Sequence, residues 1–386
     1  MVSDLRSRAE STAAVAATDA VPVDRAAKFP EKAILAAREQ RLLGILVPRE
    51  LGGDGVSISD VVDVCYVLGR SCASTAMIYA MHQIMVACLV RHARGSTWHN
   101  ELLRRICGTQ LLMASSTTEG QGGGDVRASV CAVERQGECI MLAKNATVMS
   151  YGAQADGILT TARRAPDADS SDQVLVALSK EDYQLEHLLD WDTLGMRGTC
   201  STGFTLKARG KSDQILPDPY QKIHAHTMVP VAHLTWSGVW TGIAADAVDR
   251  ARKFIRHAGR QGKGQLPPGA PHLVRASASL QVLRGLVSSA ARSYELLADN
   301  ESGLESINFQ TSMSLLKVNA SELAISTVMT SLQACGLAGY RNDTEFSITR
   351  HLRDVLSSPI MINNDRILGN ATSAAMLIEI PALLSH

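Results

Sequence analysis

From about residue 112 to residue 222 the chain abandons the spacing of its flanks, and this change limits the fold more than any other feature. Segments 130–133, 139–143, 157–162 and 173–178 are short and β-branched or alternating, with turn residues about every ten positions. That is the pattern of strands in a mostly antiparallel sheet. Before it, residues 1–20, rich in Ala, Ser and Thr, suggest a frayed first helix. Apolar residues then recur at helical spacing in 31–43, with Pro30 at the first helical position, in 61–68, opened by a Ser57 and Asp60 capping box, and in 76–90. After it, helical spacing returns in 235–256, 273–299 and 313–338, and another helix opens near Asn364. Four helices closing a chain read as a bundle. The expectation is an α+β fold: an N-terminal helical domain (1–111), a middle β domain (112–222) and a C-terminal four-helix bundle (223–386). Gly238, Gly242 and Ala245 share one face of the first bundle helix, which suits close helix packing.

Aromatic residues make up only 4% of the chain, so the core must rest on Ala, Leu, Val, Ile and Met. Lys+Arg and Asp+Glu both number 38, and nothing in this balance points to nucleic acid or a membrane surface as partner. The cysteines form no CxxC pair and no cysteine-histidine metal spacing, so a reduced, cytoplasmic setting and no metal site are expected. Asp4 and Glu10 interrupt a start that has no hydrophobic run, unlike a signal peptide. No window of about eighteen uninterrupted apolar residues predicts a membrane span.

The chemistry concentrates between residues 112 and 162. Glycines at 120, 122, 123 and 124 permit positive φ and close backbone approach to a ligand, and Thr117, Thr118 and Ser150 can each donate to a flat polar ring. An ordinary loop with strand-edge hydroxyls would carry the same residues. The blocks Thr118-Glu119-Gly120-Gln121-Gly122-Gly123-Gly124-Asp125 and Ser150-Tyr151-Gly152-Ala153-Gln154-Ala155-Asp156 resemble the flavin-contacting middle domain of the acyl-CoA dehydrogenase family. There a Thr-Glu-Pro-x-x-Gly-Ser-Asp loop is followed by a strand ending in Thr or Ser beside the flavin. Three further blocks follow in the family's order. Residues 191–203 resemble its Trp-x-x-x-Gly-Met-Arg-x-Ser loop near the acyl chain, although a hairpin with a packed Trp191 and a surface Arg197 explains them equally. Residues 332–340 resemble its Gln-x-x-Gly-Gly-x-Gly-Tyr turn, with Leu337 in place of a glycine, and Arg353-Asp354 resembles the signature before its active-site loop. The resemblance runs from about Phe29 to Leu377.

The resemblance implies FAD, or FMN in an oxygenase, held by Thr117, Thr118, Gly123, Ser150, Arg260, Gln333 and Gly336. It also implies a homodimer or homotetramer, an acyl thioester substrate on coenzyme A or an acyl carrier protein, and an electron-acceptor flavoprotein. The family's catalytic glutamate falls at about Ile362, and the alternative base position at about Thr235, and neither is a carboxylate. Val148 stands for the flavin-stacking Trp, Gly124 for a serine, and the arginine grip on the flavin is reduced to Arg260 in a looser setting. Asp365 is the nearest candidate base, on a shifted loop. Asn364, with Asn363, is either a group that orients the substrate or a helix cap. His82, on an apolar helix, is either a core histidine or a proton-transfer group. Two activities follow: α,β-dehydrogenation of an acyl thioester, or oxygen transfer from reduced flavin supplied by a flavin reductase, which needs no α-proton base.

Overall fold

The computed structural model describes residues 3–120 and 127–378. Five helices open the chain: α1 (Ser3–Ala26), α2 (Glu31–Glu39), α3 (Ile58–Gly69), α4 (Ala73–His92) and α5 (Thr97–Thr109). The first is a helix of 24 residues rather than a frayed turn, because Leu5, Ala9, Ala13, Ala16 and Ala20 are buried along it. Pro30 precedes α2 as its cap, its carbonyl accepting from the Ile34 N–H at 3.0 Å. The expected capping box forms at α3: Ser57 Oγ accepts from the Asp60 N–H at 3.1 Å and Asp60 Oδ2 from the Ser57 N–H at 3.3 Å. Helix α5 had no counterpart in the sequence reading, since it buries a narrow edge of Leu102, Leu103, Ile106 and Cys107 with His99.

Among the described residues seven strands follow: β1 (Met113–Ser116), β2 (Glu134–Gln136), β3 (Cys139–Ala146), β4 (Gly157–Arg163), β5 (Gln173–Ser179), β6 (Tyr183–Leu189) and β7 (Gly203–Lys211). They form two sheets, ordered β1-β4-β5 and β2-β3-β7-β6. All pairs are antiparallel except β1 with β4, where Met113 lies opposite Gly157. That parallel pair needs a long crossover, and the excursion through β2 and β3 supplies it. Residues 130–133, expected as a strand, make only an isolated bridge at Ala132. Every residue of β5 is buried, which accounts for its unbroken apolar run.

The chain closes with α6 (Tyr220–Ile223), α7 (Val229–Gln261), α8 (Ala270–Leu296), α9 (Glu301–Glu305), α10 (Ile307–Cys335), α11 (Leu337–Tyr340), α12 (Thr349–Val355) and α13 (Asn364–Ala375). Three are long, and α13, with 12 residues, is the short fourth member of the bundle. Glycines weld the N-terminal helices to it. A Cβ on Gly69 would lie 2.6 Å from the Val239 carbonyl oxygen, and one on Gly238 would lie 2.9 Å from that of Val62. Apolar side chains from all three parts merge in one buried cluster. Helix α4 runs through it and alone among the described residues is long and apolar enough to cross a membrane, yet 89% of its apolar window is buried inside the protein.

Candidate functional site

A cavity of about 650 Å³ opens where the three parts meet. Helix α4 supplies Met77, Met81, Ile84 and Met85, a row that recurs at helical spacing. The β domain supplies Thr117, Thr118, Val148 and Ser150, and the loop before β7 supplies Trp191, Met196, Thr199 and Ser201. Helix α7 contributes His233 and Trp236, preceded by the π-helical turn His224–Met228, and the segment between α12 and α13 contributes Met361 and Ile362. Such turns recur at functional sites because they displace side chains from helical register.

On the β-domain side, Glu119 anchors the start of the glycine-rich loop. Its carboxylate accepts from Ser129 Oγ and from the Val130 N–H at 2.8 Å, and lies 3.4 Å from the ammonium of the fully buried Lys144. Burial opposes the charge, but the Ser129 bond, Lys144 and the backbone N–H groups outweigh it and hold the carboxyl below its usual range. Lys144 also donates to the Thr161 carbonyl and hydroxyl, both at 2.8 Å, so the ion pair ties this loop to β4.

The hydroxyls beside Ser150 form a relay with a fixed direction. Thr199 Oγ1 lies 2.8 Å from the Met196 carbonyl oxygen, which can only accept, so Thr199 spends its proton there. Ser201 Oγ, 2.7 Å from Thr199 Oγ1, must then donate to it, and Ser150 Oγ, 2.8 Å from Ser201 Oγ, must donate in turn. In this relay Ser150 presents an acceptor to the cavity. The cavity, lined by Thr117 and Thr118 as well as by this relay, fits a flavin ring that carries both acceptors and N–H donors.

The bundle side holds a buried amine behind the cavity wall. Lys317 of α10 donates to the Ile362 carbonyl at 3.0 Å and to Asn364 Oδ1 at 2.7 Å, and its Nζ sits 5.9 Å from the Trp240 ring centre. Burial pushes its pKa down to about 8. Ile362 has φ of +47°, a region that β-branched residues avoid. The Lys317 bond to its carbonyl is one restraint that holds it there.

The sequence-predicted residues separate into groups. Thr117, Thr118 and Ser150 come together in the cavity wall. Gly123 lies outside the described residues. Asp365 is exposed in the first turn of α13 and does not line the cavity, because Asn363 caps that helix by accepting from the Asp365 N–H at 2.8 Å and turns the carboxylate outward. Asn364 is buried behind the wall, bonded to Lys317 and, through Nδ2, to Ser321 Oγ at 3.0 Å. His82 is a structural cross-tie: Nε2–H donates to the Leu43 carbonyl at 2.8 Å and Nδ1 accepts from the Met113 N–H at 3.0 Å, leaving no ring nitrogen for proton transfer. Burial pushes its pKa down to about 4. Arg260, Gln333 and Gly336 are exposed at bundle ends, away from the cavity. Arg353 pairs with Asp24 of α1, and Asp354 accepts from the Met196 N–H at 2.7 Å, so this signature clamps the loop before β7. Burial pushes the Asp354 pKa up to about 6 against the pull of Arg350.

Sequence reasoning missed Lys317, Thr199, Ser201 and the cavity role of His233. Lys317 alone carries a hint, as an isolated cation within the apolar run of α10.

Comparison with known proteins agrees with the architecture. Residues 3–109 match the model of the acyl-CoA dehydrogenase N-terminal domain, and residues 227–376 match that of the C-terminal domain. A cyclohex-1-ene-1-carbonyl-CoA dehydrogenase from Geobacter metallireducens is 24% identical over 363 residues, 93% of each chain. Among solved structures, FMN-bound TdsC from a Paenibacillus species, a dibenzothiophene monooxygenase, superposes with a TM-score of 0.85 at 19% identity over 98% of both chains. A nitrososynthase from Micromonospora carbonacea does so with a TM-score of 0.82 at 21% identity over 97% of both. At these identities the structural likeness speaks for the fold. With domain models matched at both ends and the same three-part architecture between them, the chain belongs to the acyl-CoA dehydrogenase family of flavin-dependent oxidoreductases.

Proposed function

We propose that the chain is a flavin-dependent monooxygenase that receives reduced flavin from a separate reductase. The bound flavin would activate dioxygen, one atom entering a small, largely apolar substrate and the other leaving as water. One observation carries this reading: among the described residues that line the cavity there is no aspartate or glutamate. Thioester dehydrogenation needs a carboxylate within hydrogen-bond reach of the α proton. The resemblance puts the family's base position at about Ile362, which lines the cavity and is no carboxylate, while Asp365 is exposed to solvent. Oxygen transfer does not need that base.

The protein's own residues suit the task. Ser150, wired as an acceptor, matches the N–H that a flavin gains on reduction. Thr117 and Thr118 offer hydroxyls to the ring from the loop that follows β1. The methionines of α4 and Trp236 of α7 keep bulk water from the reacting centre, and a dry site favours oxygen transfer over release of peroxide.

Acyl thioester dehydrogenation is the second reading, favoured by the curated relative that matches 93% of the chain. One pair of experiments separates the two. Anaerobic titration of the flavin-loaded protein with acyl-CoA thioesters should leave the oxidised flavin absorbance intact. Mixing reduced flavin-loaded protein with isotope-labelled dioxygen and candidate substrates should place the label in product. Bleaching by any thioester would reinstate dehydrogenation, and loss of that bleaching in Asp365→Ala would make Asp365 its base.

A further inference from the structure

His233 shows which kind of molecule the cavity is built to take. Its Nδ1 lies 2.8 Å from the Met313 carbonyl oxygen on α10. A carbonyl can only accept, so Nδ1 carries the ring proton and Nε2 is left as a bare acceptor. The ring lines the cavity, is 4% exposed, and packs against Trp236 with centroids 6.0 Å apart. No described residue bonds to Nε2. Burial, helped by the charge of Lys317 and by His224, pushes the imidazole pKa down to about 4, so the ring is a neutral acceptor near pH 7.

The remaining wall specifies charge. Among the described residues the only lining guanidinium, Arg353, is already paired with Asp24 and also donates to the Leu194 carbonyl. No described carboxylate faces the cavity. Among the described residues an anionic ligand would find no free counter-ion and a cationic one none at all, so either would be desolvated without compensation. Methionines from α4, from Met196 and from Met228 give an adaptable apolar surface suited to a flat ring.

We propose that the cavity selects a neutral, mostly apolar ring compound bearing one N–H or O–H, and that His233 Nε2 is the acceptor that reads this donor. His233 is thereby a specificity-determining residue. This substrate class rests on the oxygenase reading, because an acyl thioester offers a carbonyl acceptor rather than a donor. The test reads binding instead of turnover, so the two can fail separately.

Calorimetric titration of the FMN-loaded protein with naphthol, methoxynaphthalene and naphthoate provides it. Naphthol should bind about tenfold more tightly than its methyl ether, which lacks the donor, and naphthoate should bind weakest. His233→Phe should bring naphthol and the ether to equal affinity without changing FMN affinity, and His233→Gln, which keeps an acceptor, should restore part of the preference. Equal binding of naphthol and ether by the wild type, a preference that survives His233→Phe, or no binding of either up to the solubility limit would each overturn the proposal. Discrimination without any oxygenated product would leave it standing and sink only the oxygenase reading.

Discussion

Replacing Lys317 by methionine should remove a pH dependence of stability that the buried amine builds into the fold. The ammonium is fully buried, contacts only neutral oxygens at 2.7 and 3.0 Å, and has no carboxylate within ion-pair distance among the described residues. Burial lowers its pKa from 10.5 to about 8. A base whose folded pKa lies below its unfolded one binds fewer protons when folded, so stability rises with pH between those two values. Below pH 8 both states hold the proton and the desolvation penalty is present in full, while above pH 10.5 neither does and the penalty is gone. At about 1.4 kcal/mol per unit this amounts to roughly 3 kcal/mol across the window. A chain of 386 residues unfolds with an entropy of about 0.8 kcal/mol/K, which turns that energy into roughly 4 °C of melting temperature. Thermal melts of both proteins in parallel between about pH 7 and pH 10 cancel the titration of every other group in the difference. Near pH 7 the variant escapes the buried charge but leaves the Ile362 and Asn364 oxygens unpaired, two changes of opposite sign and similar size. As pH rises, the wild type should gain most of those 4 °C over the variant. A difference that stays flat from pH 8 to pH 10 would refute the assignment of Lys317 as a buried, charge-strained restraint on the Ile362 carbonyl.

Two further outcomes follow from other contacts. Ser201→Ala breaks the hydroxyl relay and frees the Ser150 proton to point into the cavity, so the ratio of oxidised to reduced flavin affinity should move about tenfold towards the oxidised form; equal ratios in variant and wild type would contradict the relay. Glycine-to-alanine changes in two helices should act with opposite signs. Gly242→Ala drives a methyl group into the backbone of α3, 2.9 Å from the Arg70 nitrogen, and should destabilise by about 1–3 kcal/mol despite the better helix former. Gly285→Ala on α8 meets nothing within 4 Å and should stabilise by up to about 1 kcal/mol. Chemical denaturation of both variants tests the pair, and a stabilised Gly242→Ala would show that α3 and α7 pack less tightly than described.

Local periodicity determined much of this protein. A strand-rich middle between helical flanks, the Ser57 and Asp60 capping box, the small-residue face of α7 and the family-like blocks in their order all follow from residues near one another in sequence. Their physics is that of single turns and single faces. Where a segment depends on a distant partner, the local pattern fell short. Residues 130–133 have strand composition but their one strand-like pairing is the lone bridge of Ala132 to Arg163, β1 pairs in parallel with β4 across a long excursion, and α5 folds because its narrow edge finds a surface to cover.

The site divides in the same way. That no carboxylate stands at about residue 362, where the resemblance puts the family's glutamate, was readable, because it is a matter of residue identity in a motif. Which carboxylate would replace it was not, since the outward turn of Asp365 is imposed by the Asn363 cap and by Lys317 holding Asn364 inside. The direction of the Ser150 proton is set by the Met196 carbonyl two hydroxyls away, and the tautomer of His233 by the Met313 carbonyl 80 residues later. Sequence names the hydrogen-bonding groups, but only tertiary contact decides which proton each has left to give, because a donor spent on a backbone carbonyl is no longer available to a ligand.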